Sequence, residues 1–101
     1  MRRLVAGIAI SLALAGCDLG GPPDDATGEE IFAQLCARCH GADLGGRVGP
    51  DLGPDSNAAM ETDEFIEFTV VNGRGRMPSF SSLGDGQLDR LVAYIREVQD
   101  R

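Results

Sequence analysis

The sequence predicts a small all-α domain whose helices are joined by unusually long loops. Three observations lead there. Apolar residues recur at helical spacing in three segments, near residues 27–40, 63–72 and 86–99, each with a capping residue ahead of it. No segment alternates apolar and polar residues as a half-buried strand does. Between Ala42 and Asn57 lie Gly45, Gly46, Gly49, Pro50, Gly53 and Pro54, which break any regular element. A chain of 101 residues holds one small domain. With 43% apolar and 25% charged residues it is of ordinary globular composition, which excludes collagen-like, wholly disordered and multi-spanning membrane chains.

Residues 1–17 read MRRLVAGIAISLALAGC. Arg2 and Arg3 precede thirteen uncharged residues, Leu4 to Gly16. That is shorter than the about 20 residues a spanning helix needs and fits an export signal. Its end, Leu14-Ala15-Gly16-Cys17, resembles the lipobox of bacterial lipoproteins. The resemblance implies cleavage before Cys17 and a lipid on its thiol. Asp18 resembles a retention signal for the inner membrane in some lipoproteins. An ordinary secretory signal with an incidental cysteine is the alternative. The expected organisation is a signal over residues 1–16, a lipidated N-terminus and flexible linker over 17–26, and a domain over 27–101. The protein is expected to be exported and held on the periplasmic side of a bacterial inner membrane. The linker, DLGGPPDDA after Cys17, has no apolar period, and about ten residues reach at most about 33 Å.

The first helix starts at Thr27, which forms a capping box with Glu30. Phe32, Leu35, Cys36 and Cys39 follow at helical spacing, and Gly41 ends the run. The second helix runs from Asp63 to about Asn72. Thr62 is its N-cap, Asp63 and Glu64 favour its dipole, Gly73 stops it, and Phe65, Ile66, Thr69 and Val70 form its inner face. The last helix runs from about Gly86 to Gln99 behind an Asp85 cap, with Leu88, Leu91, Val92, Ile95 and Val98 on one side. A core of about 75 residues is marginal without a staple, so the long loops need something to wrap.

Cys36-Ala37-Arg38-Cys39-His40 is Cys-x-x-Cys-His, the pattern of covalent haem attachment. Two cysteines three apart on a helix share a face, so both thiols reach one edge of a haem. The adjacent histidine then presents its ring to the iron, and His40 is the only histidine of the chain. Three other uses of such cysteines compete. A thioredoxin-like pair opens a helix after a strand, whereas this pair closes a helix. A zinc site wants four ligands, and only Cys36, Cys39 and His40 are at hand if Cys17 is lipidated. A plain disulfide fits an oxidising compartment.

From Gly28 to Gln99 the chain resembles the class I c-type cytochromes. The resemblance implies a fold of about three main helices wrapped around one covalently bound haem c, attached through Cys36 and Cys39 with His40 as proximal iron ligand. Gly49-Pro50-Asp51-Leu52 resembles the family's loop in which the proline carbonyl accepts a hydrogen bond from that histidine, which gives Pro50 this role toward His40. Arg74-Gly75-Arg76-Met77-Pro78-Ser79-Phe80 resembles the distal loop, with Met77 as the second axial ligand. Met60 lies in an acidic stretch expected to be exposed. Gly28 and Phe32 with Tyr94 resemble the family's helix crossing. Arg47, Arg74 and Arg76 are candidates for pairing with the haem propionates. Phe32, Leu35, Leu52, Phe65, Val70, Phe80, Leu91 and Ile95 are expected to pack on the haem.

An iron with two axial protein ligands has no open position, so the resemblance implies a one-electron carrier between redox proteins and no small-molecule substrate. Two other uses are a dedicated haem subunit of a larger membrane-associated oxidoreductase, and a haem sensor in which Met77 leaves the iron. All nine basic residues are arginine, against sixteen acids. Loss of residues 1–16 leaves 85 residues of net charge −9, with seven arginines against the sixteen acids. That charge disfavours nucleic acid. It also departs from the lysine ring of many class I cytochromes and implies redox partners with a basic docking face.

Overall fold

A computed structural model describes residues 20–101. The expected signal, Cys17 and Asp18 lie outside the described residues. The elements in order are α1 (Gly28–Leu35), α2 (Ala37–His40), a 3₁₀ turn (Asn57–Met60), α3 (Asp63–Asn72) and α4 (Asp85–Gln99). Among the described residues there is no strand, only an isolated antiparallel bridge between Arg74 and Met77. No helix among them is long and apolar enough to cross a membrane.

α1 begins as its sequence dictates. Thr27 Oγ1 accepts from the Glu30 N–H at 3.1 Å, and the Thr27 N–H donates to Glu30 Oε1 at 3.3 Å. The single helix expected through His40 is instead broken at Cys36, the last cap of α1 and the first of α2 (φ −114°, ψ −33°). α3 matches its expected bounds, with Thr62 Oγ1 accepting from the Phe65 N–H at 3.1 Å. α4 starts one residue early. Its cap is Gly84 rather than Asp85, because the Gln87 side chain reaches back to take the Gly84 N–H at 2.9 Å. Asp85 stands in the first turn, where the helix dipole favours its charge.

The core forms where α1 crosses α4. Gly28 makes the crossing tight: a Cβ there would lie 2.0 Å from the Arg90 carbonyl oxygen. Phe32 and Tyr94 meet with ring centroids 5.7 Å apart and planes tilted by 57°. Ile31, Phe32, Leu44 and Leu91 are essentially sealed from water, joined by Val70, Val92, Ile95 and Val98. Leu44 carries the long loop into this core with φ 63°, a left-handed conformation that costs a leucine energy and that its complete burial offsets.

Two polar clamps complete the domain. Arg96 donates to Asp63 Oδ1 at 2.8 Å, to Gln99 Oε1 at 2.8 Å, and to the carbonyls of Ala58 and Glu61. It thereby holds residues 58–63 against α4. At the other end, residues 22–26 of the expected flexible linker lie against α4, with Pro22 and Ala26 buried.

Candidate functional site

The long loop returns to α2 and satisfies the helix's open carbonyls. The Gly46 N–H donates to the His40 carbonyl at 2.8 Å and the Gly49 N–H to the Cys39 carbonyl at 2.7 Å. Gly49 lies flat on the imidazole, where a Cβ would come within 3.0 Å of His40 Cε1. That brings the next residue's carbonyl into place, with Pro50 O 2.8 Å from His40 Nδ1. A carbonyl only accepts, so Nδ1 carries the proton and Nε2 is the nitrogen left to meet a metal.

Across from this wall, the segment after α3 folds back on itself. The Gly73 N–H caps α3 at the Thr69 carbonyl at 2.8 Å. Arg74 and Met77 then exchange two backbone hydrogen bonds, of 3.1 and 2.9 Å, around Gly75 at φ 56°. The Phe80 N–H donates to the Val70 carbonyl at 2.9 Å, pinning the far end of the segment.

Between the two walls lies a cavity of ≈ 1010 Å³, at the upper end of the range for ligand sites. Cys36, Cys39, His40 and Met77 all line it. Phe32, Leu35, Leu52, Phe65, Val70, Phe80 and Ile95 supply apolar surface. Leu91, expected with them, is not on the cavity wall; it is wholly buried in the core behind it. Phe65 stands half out of the wall, with the Arg74 guanidinium 5.9 Å from its ring centroid. A second depression, between α1 and α4, is lined by Asp25, Glu29, Glu97 and Arg90 and has no cysteine, histidine or methionine.

The residues singled out from sequence therefore divide. Cys36, Cys39, His40, Pro50, Arg74, Arg76 and Met77 all line the one cavity. Arg47 does not; it is exposed, and its N–H donates to the Gly49 carbonyl within the loop. Of the two described methionines, Met60 is 87% exposed and off the cavity, and Met77 is half-buried on it. Sequence reasoning missed Arg38, Ser56 and Ala58 on the wall and the Arg96 clamp behind it. Ser56 carried a legible signal, since its hydroxyl caps the 3₁₀ turn by accepting from the Ala59 N–H at 3.3 Å.

The donor set fits a covalently held haem better than the competing uses. Cys36 and Cys39 are both free thiols. Burial pushes the Cys36 thiol up from 9.0 to about 12, with the neighbouring Cys39 adding to it, which is contrary to the lowered values of reactive redox pairs. Among the described residues no three histidine, cysteine or acidic side chains converge as a zinc site requires. What the cavity offers is two thiols beside an oriented imidazole, a methionine on the same lining and apolar walls.

Known proteins agree with this reading. The sequence model of the family described as cytochrome c oxidase, cbb3-type, subunit III matches residues 23–95. Cytochrome c-551 of Bacillus subtilis is 36% identical over 93% of this chain and 92% of its own length. The dihydro-heme d1 dehydrogenase of Pseudomonas aeruginosa is 34% identical over 98% of this chain, which spans only 20% of that enzyme. A solved structure of dihydro-heme d1 dehydrogenase NirN superimposes with a TM-score of 0.67 at 33% identity, over 75% of this chain and 17% of that one. Fold, cavity and relatives together place the chain in the class I c-type cytochromes, as a monohaem electron carrier that binds one covalently attached haem c.

Proposed function

We propose that this carrier works tethered to the outer side of a bacterial inner membrane, with Cys36 and Cys39 binding the haem through thioethers and His40 and Met77 ligating its iron. The observation that carries the site assignment is the meeting of these four side chains in one cavity, with His40 already oriented by Pro50. Bound there, the haem supplies one-electron exchange between Fe(II) and Fe(III). The chain's own residues do the rest. Pro50 holds the proton on Nδ1 and fixes the ring, which raises the basicity of Nε2. Leu35, Leu52, Val70, Phe80 and Ile95 exclude water. Arg74 and Arg76 offer guanidinium groups for carboxylates at the cavity wall. Arg47 stands outside that wall.

The membrane tether rests on the lipobox resemblance that ends at Cys17. Mass spectrometry of the native protein tests both halves of the proposal. The expected product starts at a lipidated Cys17 and carries one haem mass. Colourless protein with both thiols unmodified overturns the site assignment, and a product retaining residues 1–16 or an unlipidated Cys17 overturns the tether.

The net charge of −9 after signal loss supports partners with a basic face. The cavity lining holds three arginines, Arg38, Arg74 and Arg76, and three acids, Asp51, Asp55 and Glu61, so the excess acid lies off that lining. Raising ionic strength is expected to slow reaction with such a partner; a rate flat with salt refutes the steering. A second reading, a dedicated subunit, has its own support. The cbb3-type cytochrome c oxidase subunit CcoP of Rhodobacter capsulatus is 38% identical over 78% of this chain, which spans 29% of that protein. Co-purification with an oxidoreductase after mild detergent extraction, persisting at high salt, favours the subunit over the free carrier.

A further inference from the structure

We propose that α4 carries a seat for the chain's own N-terminal segment, so that residues 22–26 are a strap that sets how the domain hangs from its anchor. Gln87 is 7% exposed and spends its whole amide on this junction. Its Nε2 donates to the Pro22 carbonyl at 2.9 Å and the Pro23 carbonyl at 3.1 Å, while its Oε1 takes the Gly84 N–H. Three residues on, Arg90 donates through Nε to the Ala26 carbonyl at 3.0 Å and through Nη2 to the Asp24 carbonyl at 2.5 Å. The strap turns on itself, with the Ala26 N–H donating to the Pro23 carbonyl at 2.9 Å, and Ala26 is only 3% exposed. Four of the five backbone carbonyls of a segment with linker composition are thus met by two side chains of one helix face. The two prolines lose little freedom on seating.

The seat bears on function through the tether, and this part rests on the lipid at Cys17. Seating the strap takes residues 22–26 out of the spacer between lipid and domain and so shortens the reach from the roughly 33 Å of the unseated, fully extended linker. The strap and its seat lie outside the haem cavity, which takes no lining residue from residues 20–31 or from the first ten residues of α4. The seated domain therefore keeps its cavity off the bilayer surface. The partner it suits is a redox domain standing in the aqueous space, not a group lying in the headgroup plane.

The test compares the lipidated holoprotein with its Gln87→Ala/Arg90→Ala variant. Digestion with a protease that cuts at aspartate reads the strap at Asp24 and Asp25. Nicking is expected to be at least about tenfold faster in the variant, since several hydrogen bonds are lost together. Equal rates overturn the seat. Arg90→Gln alone, which keeps the Gln87 bonds, is expected to be intermediate and serves if the double variant does not fold. On vesicles of phosphatidylethanolamine and phosphatidylglycerol with a trace of dansyl-labelled headgroup, the haem quenches the dye. Unstrapping lets the cavity approach the surface, so emission is expected to fall in the variant; unchanged emission overturns the orientation. Failure of the holoprotein to partition onto vesicles refutes the anchor, and digestion then decides the seat by itself.

Discussion

The two walls of the cavity are built in different ways. The His40 wall is over-determined: α2 ends in two carbonyls taken by Gly46 and Gly49, and the imidazole is buried, hydrogen-bonded to Pro50 and covered by Gly49. The Met77 wall is a short turn of exposed residues closed by two backbone hydrogen bonds, its methionine half-buried with no polar partner of its own. The contrast teaches that a haem bound here would find His40 already oriented by the fold, whereas Met77 would still have to be fixed by whatever it binds.

Removing the weaker wall gives the largest expected effect. Met77→Ala is expected to leave the haem attached, turn the iron high-spin and lower the potential by a sizeable part of the roughly 0.8 V over which axial ligands act. Carbon monoxide binding to the reduced variant checks that the position is open. A low-spin spectrum unchanged from wild type removes Met77 from the site. Carbon monoxide binding already in the wild type points to the sensor use instead.

A smaller effect is expected on the stronger wall. In Gly49→Ala the new methyl stands 3.0 Å from His40 Cε1, so loop and ring must separate by a few tenths of an ångström. That weakens the Pro50 hydrogen bond and lowers the potential modestly while the spectrum stays low-spin. Redox titration beside the wild type measures it, and a potential identical to wild type means the contact does not tune the iron.

The smallest effect concerns the haem-free chain. With its thiol pushed up to about 12, Cys36 stays protonated at neutral pH. Alkylation of Cys36 is expected to lag an ordinary thiol at pH 8 and to keep rising tenfold per unit well past pH 9. The sign for stability follows. The unfolded thiol, near 9.0, ionises first, so the apo domain loses stability as pH climbs from about 9 toward 12. Mass-resolved alkylation against pH measures it, and a rate that levels off near pH 9 contradicts the burial.

How much of this the sequence carries depends on the range of each interaction. Thr27 with Glu30, Thr62, and the glycine stops at 41 and 73 act within a turn of their own helices, and all four sit where the sequence places them. The pairing of His40 with Pro50 and the presence of Met77 on the same cavity were legible only through the resemblance of two short segments to a family's loops. The break at Cys36 was not, since helical spacing runs unchanged through it and the bend serves the loop that comes back to α2. Arg96 and Arg90 were equally silent. An arginine on a helix reads as a solvated charge until the fold delivers acceptors from 33 to 66 residues away. Leu91 sits on the expected apolar side of its helix but in the core behind the cavity, because an apolar stripe does not say which part of it faces a ligand and which faces other helices.

The guanidinium clamp at Arg96 has a consequence for the order in which this molecule comes apart. The 3₁₀ turn it holds has no buried residue of its own, so that side of the haem chamber is kept shut by polar contacts while the α1–α4 crossing is kept by apolar packing. Local opening should thus begin there, with the amide protons of Ala59 and Glu61 exchanging long before those of Leu91 or Ile95. Such a breathing panel would admit solvent to the porphyrin in brief excursions that leave the helical frame intact.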